Sequence, residues 1–221
     1  MKKYNACVFD LDGTLIDSLG DLAESCNDAL SLYELPTHSV SEYRYFVGSG
    51  IQNLIKRSMG EKSSDEKLRI SVSRAFNMIY AEKCLELTKP YKGISQLLSK
   101  LKANGIKIGV LSNKSDEFAK KIVDALFEDD ELDIVWGKKD SFPIKPEPQA
   151  LYALLNELGC KKENCLYIGD SDIDVITAKN ADIDFCGVEW GFRGAEELHS
   201  AGADTIVKKP IEILDLVCAN K

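Results

Sequence analysis

A short apolar strand pattern, Cys7-Val8-Phe9, stands apart from every other one, because no strand signal appears between Ile16 and Lys89. A lone strand cannot bury its own faces. It must therefore pair with strands beyond residue 90, which makes the intervening segment an insertion. The expected division is a core built from 1–16 and 90–221, interrupted by residues 17–89. The insertion reads as all-helical: Leu19, Leu22, Ala23, Cys26, Ala29, Leu30 and Tyr33 recur at helical spacing, and Pro36 ends the run. Further helices are expected over Ser41–Phe46, Ile51–Met59 and Ser64–Glu86, with Val47-Gly48-Ser49-Gly50 separating the first two of these.

From Pro90 onward, helical and apolar segments alternate. Helices are expected at Ile94–Asn104, Asp116–Phe127, Pro148–Leu158 and Asp172–Asn180, and strands at Ile106–Leu111, Leu132–Trp136, 165–168 and Asp184–Val188. Alternation of this kind is the signature of right-handed βαβ units and a parallel sheet. The fold class expected is α/β, a Rossmann-like parallel sheet core carrying an inserted all-helical domain.

The first strand runs into Asp10-Leu11-Asp12-Gly13-Thr14, two carboxylates spaced two apart and followed at once by a glycine. They fall where the strand leaves its sheet, the edge at which open parallel sheets bind ligands. Two unneutralised carboxylates beside a buried strand are costly unless a cation or proton compensates. A hard divalent cation held by oxygen ligands is the simplest compensation. Asp and Gly also favour turns in their own right, and seven residues alone do not separate a solvated turn from a site.

Three more segments supply the context. One strand ends in Ser112-Asn113-Lys114, another in Gly169-Asp170-Ser171-Asp172-Ile173-Asp174, and between them lies Lys145-Pro146-Glu147-Pro148. In this order the four motifs resemble the haloacid dehalogenase superfamily of phosphoryl-transfer enzymes, and the resemblance spans nearly the whole chain. It implies that the helical insertion is a cap domain. It implies Asp10 as a nucleophile forming an aspartyl phosphate, and Asp12 as the acid and base for leaving group and water. It assigns magnesium to Asp10, the backbone carbonyl of Asp12 and Asp170. Ser112, with the Asn113 backbone, would hold a phosphate oxygen, and Lys145 would offset the charge of the intermediate. Asp174 matches a second acid of the last motif and would reach the metal through water or fix Lys145, with Asp172 an equally plausible N-cap.

Within the superfamily, Asp12 favours phosphoryl transfer, since dehalogenases lack an aspartate at that position. Tyr45-Phe46-Val47-Gly48-Ser49-Gly50-Ile51 is similar to the cap of the phosphoglycolate phosphatase group, and Gly187-Val188-Glu189-Trp190-Gly191-Phe192-Arg193 to its tail. Asp182 departs from the glycine common at that position. Gly48, Ser49 and Gly50 would bring backbone amides to a small substrate carboxylate, near Arg44 or Lys56. The expected activity is magnesium-dependent hydrolysis of a small phosphomonoester such as phosphoglycolate. The alternatives are a phosphomutase of the same fold, a phosphonate hydrolase using Lys56, and a phosphate-binding module without catalysis.

Composition narrows the partners. A net charge of -8 argues against binding nucleic acid through phosphate neutralisation. Seven irregularly spaced cysteines suit free thiols, and with only two histidines a zinc site at Cys160 and Cys165 is not expected. Met1-Lys2-Lys3 leads directly into the first strand and no apolar run could span a membrane, so a cytoplasmic protein is expected, acting on a small phosphorylated metabolite as a monomer or weak homodimer.

Overall fold

The computed structural model describes residues 4–218. Strand β1 (Ala6–Phe9) leads into the two-residue β2 (Ile16–Asp17). Four helices follow: α1 (Leu19–Ser31), α2 (Val40–Phe46), α3 (Ile51–Met59) and α4 (Glu66–Lys83), with a 3-10 turn at Gly60–Ser64 before the last. The chain returns through β3 (Lys89–Pro90) and α5 (Ile94–Ala103). It then alternates β4 (Lys107–Ser115), α6 (Asp116–Leu126), β5 (Ile134–Lys138), α7 (Gln149–Leu158), β6 (Cys165–Gly169), α8 (Asp172–Ala181) and β7 (Asp184–Val188). Helix α9 (Gly194–Ala201), β8 (Ile206–Val207) and α10 (Ile211–Cys218) complete it.

Six strands form one parallel sheet in the order β5-β4-β1-β6-β7-β8. The first strand therefore lies at the centre, Val8 opposite Gly109 on one side and Tyr167 on the other. Its alternate side chains enter different layers. Cys7 and Phe9 pack with residues of α5, α6 and α10, while Val8 packs with α7. Both faces are covered, which is why the strand reads as a continuous apolar run. Because the chain builds outward from β1 first toward β5 and later toward β8, the ends of β1, β4 and β6 lie around the switch point where such sheets take ligands.

The helices α1 to α4 hang from a paired stem. Strands β2 and β3 run antiparallel, Ile16 opposite Pro90 and Asp17 opposite Lys89. Buried Asp21 in the first turn of α1 reinforces the crossing: Oδ1 accepts the Leu87 amide, and Oδ2 accepts the Thr88 amide and hydroxyl, all at 2.6 to 2.9 Å. Two residues per strand are too few to give a pattern, so this stem is invisible to periodicity.

Several boundaries differ from expectation for local reasons. Strand β5 begins at Ile134, not Leu132, because Asp133 pairs with Ile108 through its side chain as well as its backbone, its Oδ2 accepting the Ile108 amide at 2.6 Å. Strand β4 continues to Ser115, with its register against β5 slipping after Leu111. The long helix starts at Glu66, where the Asp65 side chain caps the Leu68 amide, and ends at Lys83. At Asp182 the chain takes φ 54° to end α8, so an aspartate fills the left-handed cap position that favours glycine. Among the described residues no helix is long and apolar enough to cross a membrane.

Candidate active site

Asp10 follows directly on β1, its amide still bonded to the Ile168 carbonyl of β6 at 2.9 Å. The chain then turns sharply, with the amides of Thr14, Leu15 and Ile16 all reaching back to the Leu11 carbonyl. Gly13 makes this turn possible: its φ is +87°, and a Cβ there would overlap the Asp170 carboxylate. Asp10 and Asp12 consequently point from one tight bend, as their spacing at the end of a strand suggests.

Lys145 links three distant segments. Its ammonium lies 2.8 Å from Asp10 Oδ1 and 2.8 Å from Asp174 Oδ1. Asn113 fixes its backbone from both sides, accepting the Lys145 amide at 2.9 Å and donating to the Lys145 carbonyl at 3.1 Å. The Asn113 side chain also donates to the Gly48 carbonyl at 3.0 Å. It is thus occupied with structure, leaving Ser112 as the hydroxyl of that motif at the cavity.

Asp174 sits in the first turn of α8, and its role as a cap partner falls out differently from expectation. Ser171, not Asp172, is the N-cap, and Asp174 closes a capping box by accepting the Ser171 amide and hydroxyl on Oδ2. Its Oδ1 takes Lys145 and the buried Tyr167 hydroxyl. Asp170, at the end of β6, accepts the Thr14 hydroxyl on Oδ1 at 3.1 Å and the Phe192 amide on Oδ2 at 2.8 Å.

Carboxylate oxygens of Asp10, Asp170 and Asp174 come within 4.8 Å of one another, all buried. Burial, with Lys145 opposing and Asp174 adding to it, pushes the Asp10 carboxyl up to about 7. Burial, then Asp174 and Asp10, hold the Asp170 carboxyl well above the ordinary range. Burial alone would depress the Lys145 ammonium, but Asp10 and Asp174 outweigh it and raise it well above the usual value. Three clustered carboxylates thus have one ammonium among them, paired with Asp10 and Asp174, an excess of negative charge that a cation relieves. Oxygen donors with no nitrogen or sulfur among them fit a hard divalent ion. Each oxygen of Asp174 accepts two donors, whereas each oxygen of Asp170 accepts one and Oδ2 of Asp10 accepts none among the described residues, so Asp10 and Asp170 are the pair best able to ligate. Asp12 does not contribute its side chain to this group. Its Oδ1 instead accepts the Ser18 hydroxyl at 2.5 Å and the Lys114 ammonium at 2.9 Å.

A cavity of about 50 Å³ opens on Asp10, Asp12, Ser112 and Lys114. The helical insertion supplies its other wall, with Val47, Gly48 and Gly50 from the loop before α3, Ile51 and Leu54 from α3, and Tyr80 from α4. Gly48 and Gly50 reach this cavity, whereas Ser49 does not line it and has its hydroxyl turned to Arg57 at 3.2 Å. Arg44 and Lys56 are also outside it: Arg44 donates to the Phe192 carbonyl, and Lys56 is exposed. The lysine at the cavity is Lys114, which follows the Ser112-Asn113 motif directly. It and Tyr80 are the contributors that motif reading passed over, and for Tyr80, in a helix with no motif, the sequence carries no signal.

The fold agrees with that of known proteins. Residues 7–188 match the family model of haloacid dehalogenase-like hydrolases, and the chain belongs to that family. Within it, the chain is similar to the phosphoglycolate phosphatase of Aquifex aeolicus, 31% identical over 95% of each chain. A crystal structure of a predicted phosphoglycolate phosphatase from Haemophilus somnus superposes with a TM-score of 0.90, at 28% identity, covering 98% of this chain and 99% of that one. The β-phosphoglucomutase of Clostridium difficile shares the fold, with a TM-score of 0.78 at 20% identity. The chain is accordingly an enzyme, a hydrolase of the phosphatase kind.

Proposed function

We propose that this enzyme hydrolyses phosphoglycolate, or a phosphomonoester of similar size, with magnesium and through an aspartyl-phosphate intermediate. The observation that carries the reading is the convergence of Asp10, Lys145 and Asp170, from three separate segments, in one buried cluster whose Asp10, with Asp12, opens on a cavity covered by the helical insertion. In this reading residues 17–89 act as the cap over a core of 1–16 and 90–221.

An oxygen of Asp10 attacks phosphorus while the bond to the leaving oxygen breaks, and Asp12 gives that oxygen its proton. Asp12, now a carboxylate, takes a proton from a water that attacks the phosphoenzyme, and inorganic phosphate leaves with Asp10 restored. Ser112 and the Asn113 backbone amide hold a phosphate oxygen, and Lys145 offsets charge on Asp10 and the transferring group. Asp174 holds Lys145 in place. Magnesium on Asp10, Asp170 and the Asp12 carbonyl would cancel the repulsion between nucleophile and phosphate.

The size of the cavity supports a small substrate. One water needs about 10–15 Å³ of such space, so about 50 Å³ admits three to five water-sized groups. A two-carbon leaving group suits that space better than a hexose, which favours a phosphatase over a phosphomutase. The test is phosphate release from a panel of small phosphomonoesters, with metal stripped and then restored. Fastest release from phosphoglycolate, lost on chelation and regained with magnesium, is the expected result. No release from any member, or full activity without metal, would overturn the reading.

A further inference from the structure

Lys114 has no place in the chemistry described so far, yet it is one of the most constrained cations in the molecule. It lies in the irregular end of β4, and its side chain is only 4% exposed. An ammonium has three protons to donate. One goes to Asp12 Oδ1 at 2.9 Å, another to the Tyr80 hydroxyl at 2.8 Å. Tyr80 is itself immobilised, stacked on Phe76 of its own helix and packed edge-on against Phe118 of α6. A core cation is therefore aimed from both sides, by the acid it touches and by a tyrosine of the helical insertion.

The consequence falls on Asp12. Ser18 and Lys114 both donate to Oδ1, while Oδ2 accepts no hydrogen bond among the described residues. Asp12 lines the cavity, so a carboxyl clamped by one oxygen presents the other. A proton to be transferred resides on the oxygen that is not already accepting two donors. Lys114 is also the sole cationic side chain among the residues lining that cavity.

We infer that Lys114 is a positioning residue, which fixes the orientation of the Asp12 carboxyl and anchors that orientation to Tyr80 of the cap. The inference rests on the reading of Asp12 as proton donor to the leaving group. A residue that aims a general acid matters in proportion to how much the leaving group needs a proton. Alkoxides need one, whereas acetate leaves without it.

The experiment compares Lys114→Met, Tyr80→Phe and Asp12→Asn with the parent enzyme on phosphoglycolate, ethyl phosphate and acetyl phosphate, three substrates of similar size. The measured quantity is kcat/KM, which reports departure of the leaving group and not later hydrolysis of the phosphoenzyme. Lys114→Met is expected to lose about 100-fold on both alkyl phosphates and less than about tenfold on acetyl phosphate, the scale of general-acid catalysis. Lys114→Arg is expected to restore part of the loss. Tyr80→Phe is expected to show the same order of substrates with a loss of about threefold. Equal losses on all three substrates, with Asp12→Asn still discriminating among them, would make Lys114 merely structural and overturn the inference. A loss confined to phosphoglycolate would also overturn it, because Lys114 would then be binding the substrate carboxylate. If Asp12→Asn itself fails to discriminate, the role of Asp12 as proton donor falls, and this inference with it. Should Lys114→Met not yield folded protein by circular dichroism, Tyr80→Phe decides alone: leaving-group dependence supports the inference, and its absence overturns it.

Discussion

Asp174 and Lys145 form an ion pair at 2.8 Å in which the two side chains are 0% and 2% exposed. The same ammonium bridges to Asp10 at 2.8 Å, so an acid in helix α8 sets the position of a cation beside the nucleophile. Removing one partner of such a pair leaves a buried charge without compensation, which costs more than the pair contributes. Asp174→Ala is expected to lower stability by roughly 3–5 kcal/mol in denaturant titrations. Asp174→Asn keeps the shape of the side chain and should cost less, while still lowering kcat because Lys145 loses its second anchor. Unchanged kcat in a folded Asp174→Asn enzyme would mean that Asp10 alone suffices to place Lys145.

Asp10→Asn should abolish turnover with the fold retained. The amide keeps the hydrogen-bonding outline, but it is a poor nucleophile and a weaker metal ligand. It lies one residue beyond a strand paired on both sides at the centre of the sheet, so an isosteric amide there leaves the strand pairing intact. Residual activity within about tenfold of the parent, roughly 1.4 kcal/mol of barrier, would exclude Asp10 as nucleophile.

The buried carboxylates also give a pH signature in metal-free protein. Burial raises Asp10 from 3.8 to about 7. A carboxyl raised in the folded state stabilises the fold fully below its unfolded value, and that contribution is lost as pH rises through the folded one. Between about pH 4 and about pH 7, therefore, the parent should lose melting temperature relative to Asp10→Asn, which has nothing to ionise there. Magnesium should reverse the trend, raising the parent's melting temperature more at high pH than at low. A parent–variant difference independent of pH would show that Asp10 is not held in that state.

How much of this was legible in the sequence varies by the kind of interaction. The four motifs gave the fold, because each sits where a buried strand stops or a helix starts, and burial and punctuation leave local marks. Asp174 was legible as an acid of the last motif, but its capping box with Ser171 was not, since Asp172 has the same composition cue. Asn113 reads as a phosphate-binding position through its backbone, and the separate use of its side chain to hold the Lys145 backbone leaves no local mark. The link from Lys114 to Tyr80 joins a strand end to a helix with no motif, and nothing local announces it. The stem of β2 and β3 and the late strand β8 leave no sequence pattern because each of these strands has two residues.

Gly50 offers the sharpest test of the cap. It is the N-cap of α3, with φ +81°, and a Cβ there would lie 3.3 Å from the Asn113 carbonyl. Its neighbour Gly48 accepts the Asn113 side chain, so this loop is docked on the very strand end proposed to hold the phosphate. A β-branched residue resists positive φ and crowds the Asn113 carbonyl. Gly50→Val should therefore push the loop off the cavity, raising KM for phosphoglycolate by about tenfold or more, on the scale of 1–3 kcal/mol of local strain. A generic aryl phosphate, whose leaving group makes no use of the loop amides, should be affected less. Equal changes in KM for both substrates would mean that Gly48 and Gly50 merely connect two helices, and recognition of a substrate carboxylate would have to lie elsewhere in the cavity wall.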